Sequence, residues 1–279
     1  LAARTELRGK IVAITGGARG IGRAIAAEFL DHGAEVIIGD IDKALCEQTA
    51  EELGHGTIAL PLDVTSYASI ESFVSSIVSS YGRLDVMVNN AGIMPISPFV
   101  SESMDSVQRQ LDINVRGVIW GCQHAIMAMK GGGTLVNIAS AAGKFGAPGL
   151  ATYCATKHAV VGLSESLTIE LEPAGISVVC VMPGLVNTEL ISGVSSHWLL
   201  KTVQPEDIAK GIVRAVRRGR FPVFVPRRLT PITKMLAVVP RFALGPAIKL
   251  AGIDHYMLDA HNTPGRQSYE SRIKGIDQV

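Results

Sequence analysis

Eight residues constrain this chain most. Thr15-Gly16-Gly17-Ala18-Arg19-Gly20-Ile21-Gly22 follows a short apolar run, Lys10 to Thr15, and opens a segment, Ile21 to Leu30, whose apolar residues recur at helical spacing. A second apolar run, Val36 to Gly39, then ends at Asp40. Strand, glycine turn, helix and strand together make a βαβ unit. Glycines let a backbone turn tightly and come close to a pyrophosphate. The start of the following helix offers free N–H groups and the positive end of its dipole. The spacing departs from the usual GxGxxG, with three residues rather than one between Gly16 and Gly20. A glycine cluster alone is only a turn, and the βαβ context is what points to nucleotide binding.

The alternation continues along the chain. Strands fit Thr57 to Leu62, Leu84 to Asn89, Gly133 to Ala139, Ile176 to Met182 and Phe221 to Val225. Helices fit Asp42 to Leu53, Ser66 to Tyr81, Ser103 to Met129, Ala151 to Glu172, and a last one from Pro205 to Arg218. The strands are continuous apolar runs, as when both faces of a sheet are covered. The expected fold class is α/β: a doubly wound, Rossmann-like parallel sheet of seven strands with helices on both faces. Residues 1–226 are expected to form the dinucleotide-binding and catalytic domain, and 227–279 a C-terminal helical extension.

Composition removes several function classes. A formal net charge of +1 over 279 residues gives no footprint for nucleic acid. The four cysteines form no CxxC pair and read as free thiols of a reducing compartment. Asp254-His255 with Asp259 and His261 is the nearest approach to a metal cluster, and no metal site is expected. Leu1 to Lys10 lacks the apolar core of a signal peptide, and no run reaches the ~18 apolar residues of a spanning helix. A cytoplasmic protein is expected.

Tyr153 and Lys157 stand four apart on one predicted helix and so share a face. An ammonium beside a phenol favours the phenolate and lowers its pKa, which suits a general acid/base. Asp40, ending the second strand, can accept hydrogen bonds from a ribose diol and repels a 2′-phosphate, favouring NAD over NADP. Arg19 pulls the other way, since a cation there can pair with a 2′-phosphate. Asp40 carries more weight because it meets the diol directly.

From Lys10 to about Thr188 the chain resembles the short-chain dehydrogenase/reductase family. The resemblance rests on the TGxxxGxG loop, Asp63-Val64, Asn89-Asn90-Ala91-Gly92, Asn114, Ser140, Tyr153 with Lys157, and Pro183-Gly184 with Thr188. It implies Tyr153 as general acid/base, Ser140 on the substrate oxygen, Lys157 on the nicotinamide ribose and Asn114 holding a relay water. It also implies cofactor contacts at Gly16, Arg19, Gly20, Ile21, Gly22, Asp40, Asp63, Val64, Asn90, Gly92, Tyr153, Lys157, Pro183, Gly184, Val186 and Thr188. Among these, Asp63 and Val64 meet adenine, Asn90 and Gly92 the adenosine ribose side, and Thr188 the carboxamide. Ser140 could instead cap a helix, and Asp63 could simply begin a turn. A non-catalytic dinucleotide-binding module, an NADP-preferring reductase and an extended-branch epimerase or dehydratase are the alternatives.

Three loops should enclose the substrate: Ile93 to Val100, Ala141 to Leu150 and Leu185 to Leu200. Their Ile93, Met94, Ile96, Phe99, Phe145, Leu150 and Trp198 suit an apolar secondary alcohol or ketone. Lys144 is the nearest cation, read as a solvated loop lysine. A homo-oligomer, dimer or tetramer, is expected through the Tyr153 helix. In the extension, Arg227, Lys234, Arg241 and Lys249 fall within an arc of about 80° on an unbroken helix, though Pro231, Pro240 and Pro246 argue for short helices. The tail can cover the pocket, pack on a partner subunit or lie on a membrane surface.

Overall fold

The computed structural model describes residues 6–195, 202–218, 222–226, 246 and 255–275. In chain order its elements are β1 (Ile11–Thr15), α1 (Gly20–Asp31), β2 (Glu35–Asp40), α2 (Lys43–Leu53), β3 (Ile58–Pro61), α3 (Tyr67–Tyr81) and β4 (Val86–Asn89). Then come α4 (Met104–Leu111), α5 (Gly117–Ala128), β5 (Gly133–Ile138), α6 (Ala151–Glu170), β6 (Ile176–Pro183), α7 (Pro205–Val216), β7 (Val223–Val225) and α8 (Pro264–Gly275). The seven strands form one sheet in the order β3-β2-β1-β4-β5-β6-β7. Each neighbouring pair is parallel.

Successive side chains of β1 go to opposite faces, and both faces are apolar. Val12 and Ile14 join Ile25 and Phe29 of α1 and Ile208 and Ile212 of α7. Ile11 and Ala13 join Ile70, Phe73 and Ile77 of α3, with Val118 and Cys122 of α5 and Val160 of α6. This two-sided burial is why the strands read as unbroken apolar runs, each large side chain contributing about 1.5–3 kcal/mol. All four cysteines are buried free thiols.

Helix ends follow local chemistry. Ser66 caps α3 by accepting from Ser69 N at 3.3 Å, and Gly82 ends it in the left-handed region at φ 72°. Pro205 starts α7, and Asp207 reaches back to Gln204 N at 3.3 Å. The helix expected over Ser103 to Met129 is not uniform: a π-helical turn, Asp112–Arg116, separates α4 from α5. It brings Gly117 so close to the chain after β3 that a Cβ there would lie 2.9 Å from Val64 O. A buried amide ladder fixes α6 on the sheet. Asn89 Nδ2 donates to Asn137 Oδ1 at 2.9 Å, and Asn137 Nδ2 donates to Ser164 Oγ at 3.0 Å.

The direction of strand addition reverses between β1 and β4. That is the switch point of a doubly wound sheet, and its crevice opens at the carboxyl ends of the strands. Phe221 and the basic positions Arg227, Lys234, Arg241 and Lys249 lie outside the described residues. Among the described residues no helix is long and apolar enough to cross a membrane.

Candidate active site

The glycine loop forms a cradle at the crevice. Gly16 and Gly20 adopt φ 65° and 55°, a region only glycine enters freely. A Cβ on Gly22 would stand 2.1 Å from Gly16 O, so this position tolerates no side chain. α1 begins at Gly20 with no side-chain cap, leaving its first-turn N–H groups for a ligand. These features fit the pyrophosphate of a dinucleotide. Asn90 Nδ2 donates to Thr15 O and Gly16 O, each at 3.0 Å, and Thr15 Oγ1 accepts from Asn90 N and Ala91 N. The turn after β4 is thus tied to the loop after β1. Thr15 was absent from the expected set, although its place at a strand end was the available signal.

Around the cradle the other expected residues converge. Asp40 Oδ2 accepts from Ala18 N at 3.1 Å and Oδ1 from Asp42 N at 3.2 Å. Burial raises its pKa, opposed by those N–H groups and by Arg19. Arg19 is paired with Asp42 and lies 3.5 Å from Glu189. Asp63 Oδ1 accepts from Thr65 N and Oγ1, so this carboxylate does organise a turn. Pro183 pairs with Val225, Gly184 N donates to Val225 O, and Val186 bridges to Val203. The chain then brings Thr188 over the glycine loop, where a Cβ on Gly20 would meet its methyl at 3.4 Å. Ile21 is half-buried in the same core.

Deeper in the crevice, α6 presents Tyr153 and Lys157, 6% and 4% exposed, at the end of β5. The Ser140 hydroxyl lies close enough to the Tyr153 phenol to favour its ionised form. Ser140 Oγ also accepts from Ala142 N at 3.1 Å, so the serine caps the turn that follows while standing beside the phenol. Lys157 Nζ lies 5.7 Å from the Tyr153 ring centroid and donates to Ile138 O at 2.8 Å. Asn114, in the π turn, accepts from Ile93 N and donates to Ile93 O, both at 2.9 Å, and donates to Thr156 Oγ1. Gly92 sits between these groups: a Cβ there would be 3.1 Å from Asn114 Oδ1 and 3.6 Å from Lys157 Nζ.

One electrostatic expectation is corrected. Lys157 does not draw the phenol down on balance. Burial pushes Tyr153 well above its ordinary value, with Ser140 opposing, and pushes Lys157 down to about 8. Each charge is costly alone where water is excluded.

On the substrate side Ile93, Met94, Ile96 and Leu150 are buried, and Phe145 is half-buried. Phe99 is 70% exposed and lines nothing, because its short 3-10 turn faces away from the core. Trp198 lies outside the described residues. Lys144 is paired with Glu165 at 3.0 Å on the surface. The larger departure is residues 255–275. His261 Nδ1 lies 2.6 Å from Ile96 O, and Tyr269 OH accepts from Met94 N at 3.1 Å. Glu270 accepts from Ile96 N at 3.3 Å, and Arg266 donates to Met94 O and, at 2.8 Å, to Leu190 O. These side chains satisfy backbone groups of the chain after β4 and after β6, and none of these contacts was anticipated.

A doubly wound sheet with a glycine cradle at its switch point and a buried tyrosine and lysine beside a half-buried serine defines a dinucleotide-dependent oxidoreductase architecture. The short chain dehydrogenase family model matches residues 10–197. The chain belongs to the short-chain dehydrogenase/reductase family and is an oxidoreductase of that family. It is 40% identical over 196 residues to a sorbitol dehydrogenase of Cereibacter sphaeroides, covering 69% of this chain and 77% of the relative. It is 38% identical over 222 residues to a 3-alpha-(or 20-beta)-hydroxysteroid dehydrogenase of Mycobacterium bovis, covering 79% and 80%. Among solved structures, a 3-ketoacyl-(acyl-carrier-protein) reductase from Brucella melitensis complexed with NADH matches with a TM-score of 0.73 at 29% identity, covering 78% of this chain and 97% of that one.

Proposed function

We propose that this chain transfers a hydride between NAD and an apolar secondary alcohol or ketone, with Tyr153 as general acid/base. The observation that carries this is the trio at the crevice: the buried Tyr153 phenol beside half-buried Ser140, with the buried Lys157 ammonium over its ring. A bound nicotinamide supplies the carbon that accepts or donates the hydride. Tyr153 takes the proton from the alcohol oxygen or returns it to the carbonyl oxygen, and Ser140 holds that same oxygen. Burial opposes a lone phenolate and a lone ammonium, so the two charges favour each other in one dry site. Asn114 positions the backbone of Ile93 beside Lys157.

Gly16, Gly20, Gly22 and the start of α1 would hold the pyrophosphate, Asp40 the adenosine ribose, and Thr188 the carboxamide end. Arg19 is already tied to Asp42 and Glu189, so a 2′-phosphate must compete for it while facing Asp40, which supports NAD over NADP. Buried Ile93, Met94, Ile96 and Leu150 support an apolar substrate. Exposed Met127 on α5 and Ile169 on α6 support a homo-oligomer joined through these helices. A cytoplasmic location is part of the same proposal.

The test is a panel of alcohols and ketones followed by nicotinamide absorbance with both cofactors. Turnover of an apolar member with NAD, reduced at least ~10²-fold by Tyr153→Phe with NADH binding retained, is the expected result. Full turnover in Tyr153→Phe would remove the tyrosine from its role, and tighter binding of NADP would remove the cofactor preference.

A further inference from the structure

The α8 helix lies across the crevice assigned above to the cofactor. Tyr269 and Ile273 pack in one cluster with Ile93 after β4 and Ile113 in the π turn, and Val64 after β3 and Leu190 after β6 close against it. These positions flank the switch point from both sides. Val64 is, with Asp63, expected to meet adenine, and Ile93 directly follows Gly92. At one end, Arg272 pairs with Glu189, whose carboxylate also lies 3.5 Å from Arg19 in the glycine loop. Midway along the helix, Tyr269 lies near the Tyr153 phenol. Arg266, with no exposed side-chain surface, straps the two loops together through Met94 O and Leu190 O. A dinucleotide running from Asp40 to Tyr153 along the same strand ends must pass between Val64 and Leu190. Tyr269 and Ile273 hold that space.

We infer that α8 and the dinucleotide are alternative occupants of this crevice, so that docked α8 is an autoinhibitory contact which the cofactor displaces. The inference rests on the cofactor reading proposed above. The contact is built to be reversible. Of the twelve residues of α8 only Arg266, Tyr269 and Ile273 are buried, and a helix held by so few groups opens more readily than the core beneath it. A binding-competent state populated only in part weakens apparent affinity by that fraction.

The experiment is direct NADH titration, by fluorescence or calorimetry, of the full chain and of Ile273→Asp and Arg272→Glu in the full chain. Hydrogen exchange of residues 264–275 is followed with and without saturating NADH. Both variants are expected to bind NADH at least about tenfold more tightly, as when the docked form is about nine-tenths of the molecules, and NADH should speed exchange in α8. Arg272 is half-exposed, so its variant disturbs the core less than Ile273→Asp and reports even where that one folds poorly, and the exchange arm needs no substitution. NADH affinity unchanged or weaker in Arg272→Glu, or α8 protection that holds or rises with NADH, overturns the competition and makes α8 a fixed wall. Failure of every form to bind NADH or NADPH overturns the cofactor reading and this inference together, a result separable from the first.

Discussion

Burial works against charge on both members of the Tyr153–Lys157 pair, and this sets a measurable pH signature. Lys157 titrates at about 8 in the folded protein against an ordinary 10.5. Between those values the unfolded chain binds more protons than the folded one, so stability rises with pH across that window. The ammonium's cost is thus fully present below about pH 8 and relieved as pH approaches about 10.5. Lys157→Met removes the titration while leaving other groups in place. The stability of wild type minus that of Lys157→Met, from urea unfolding, should therefore move in favour of wild type by up to about 3 kcal/mol over this window. A difference that stays level would mean that the folded protein does not desolvate the ammonium. The sequence disclosed the pair, because helical spacing puts both on one face. It could not disclose the sign of the phenol's shift, which depends on how completely water is excluded.

At the scale of elements, the glycine loop was legible because its constraint is local: a strand, a turn that only glycine can make, and a helix start. Gly22 shows the constraint at its strictest. Gly22→Ala, in the first turn of α1, would drive a methyl into Gly16 O, 2.1 Å from the ideal Cβ position. It should cost more than ~2 kcal/mol and abolish NADH binding. Gly162, mid-way along α6 with nothing within 4 Å of its built Cβ, is the matched comparison. Gly162→Ala should add about 0.5–1 kcal/mol, since alanine is the better helix former, and leave NADH binding alone. Thermal unfolding of both variants with a cofactor titration checks the pair, and a tolerated Gly22→Ala would mean the cradle is looser than its geometry. The π turn was not legible. Periodicity over Ser103 to Met129 reports which face is apolar, and one inserted residue hardly disturbs it. What the turn answers is tertiary: Asn114 meeting both backbone groups of Ile93, and Gly117 meeting Val64 O.

At the scale of the whole molecule, a C-terminal extension able to cover the pocket was legible, but the side chains of residues 255–275 that make the contact were not. Pattern reading finds buried segments through apolar stripes, whereas PGRQSYESRIKG offers only Tyr269 and Ile273, and its most buried residue is an arginine. Arg266 is buried because its donors are consumed by Met94 O, Leu190 O and, at 3.0 Å, Glu270 Oε1, with Tyr269 stacked 4.5 Å away. Such a group resists removal of any one partner, since what remains is left buried and unpaired. Arg266→Met keeps the stem's bulk but strands two carbonyls and a carboxylate, so the docked form is lost; with the undocked form already about a tenth of the molecules, stability without cofactor should fall by about 1.4 kcal/mol. If α8 leaves the crevice when the dinucleotide enters, the cofactor-bound protein no longer relies on those contacts. Saturating NADH should then bring Arg266→Met most of the way back to the wild-type melting temperature at equal ligand. Binding stabilises the folded state by mass action, and the variant no longer spends part of that on undocking the helix. Paired melting curves at zero and saturating NADH decide the matter. A deficit of equal size in both conditions would show that α8 stays docked beside the cofactor and that Arg266 is a structural pin alone.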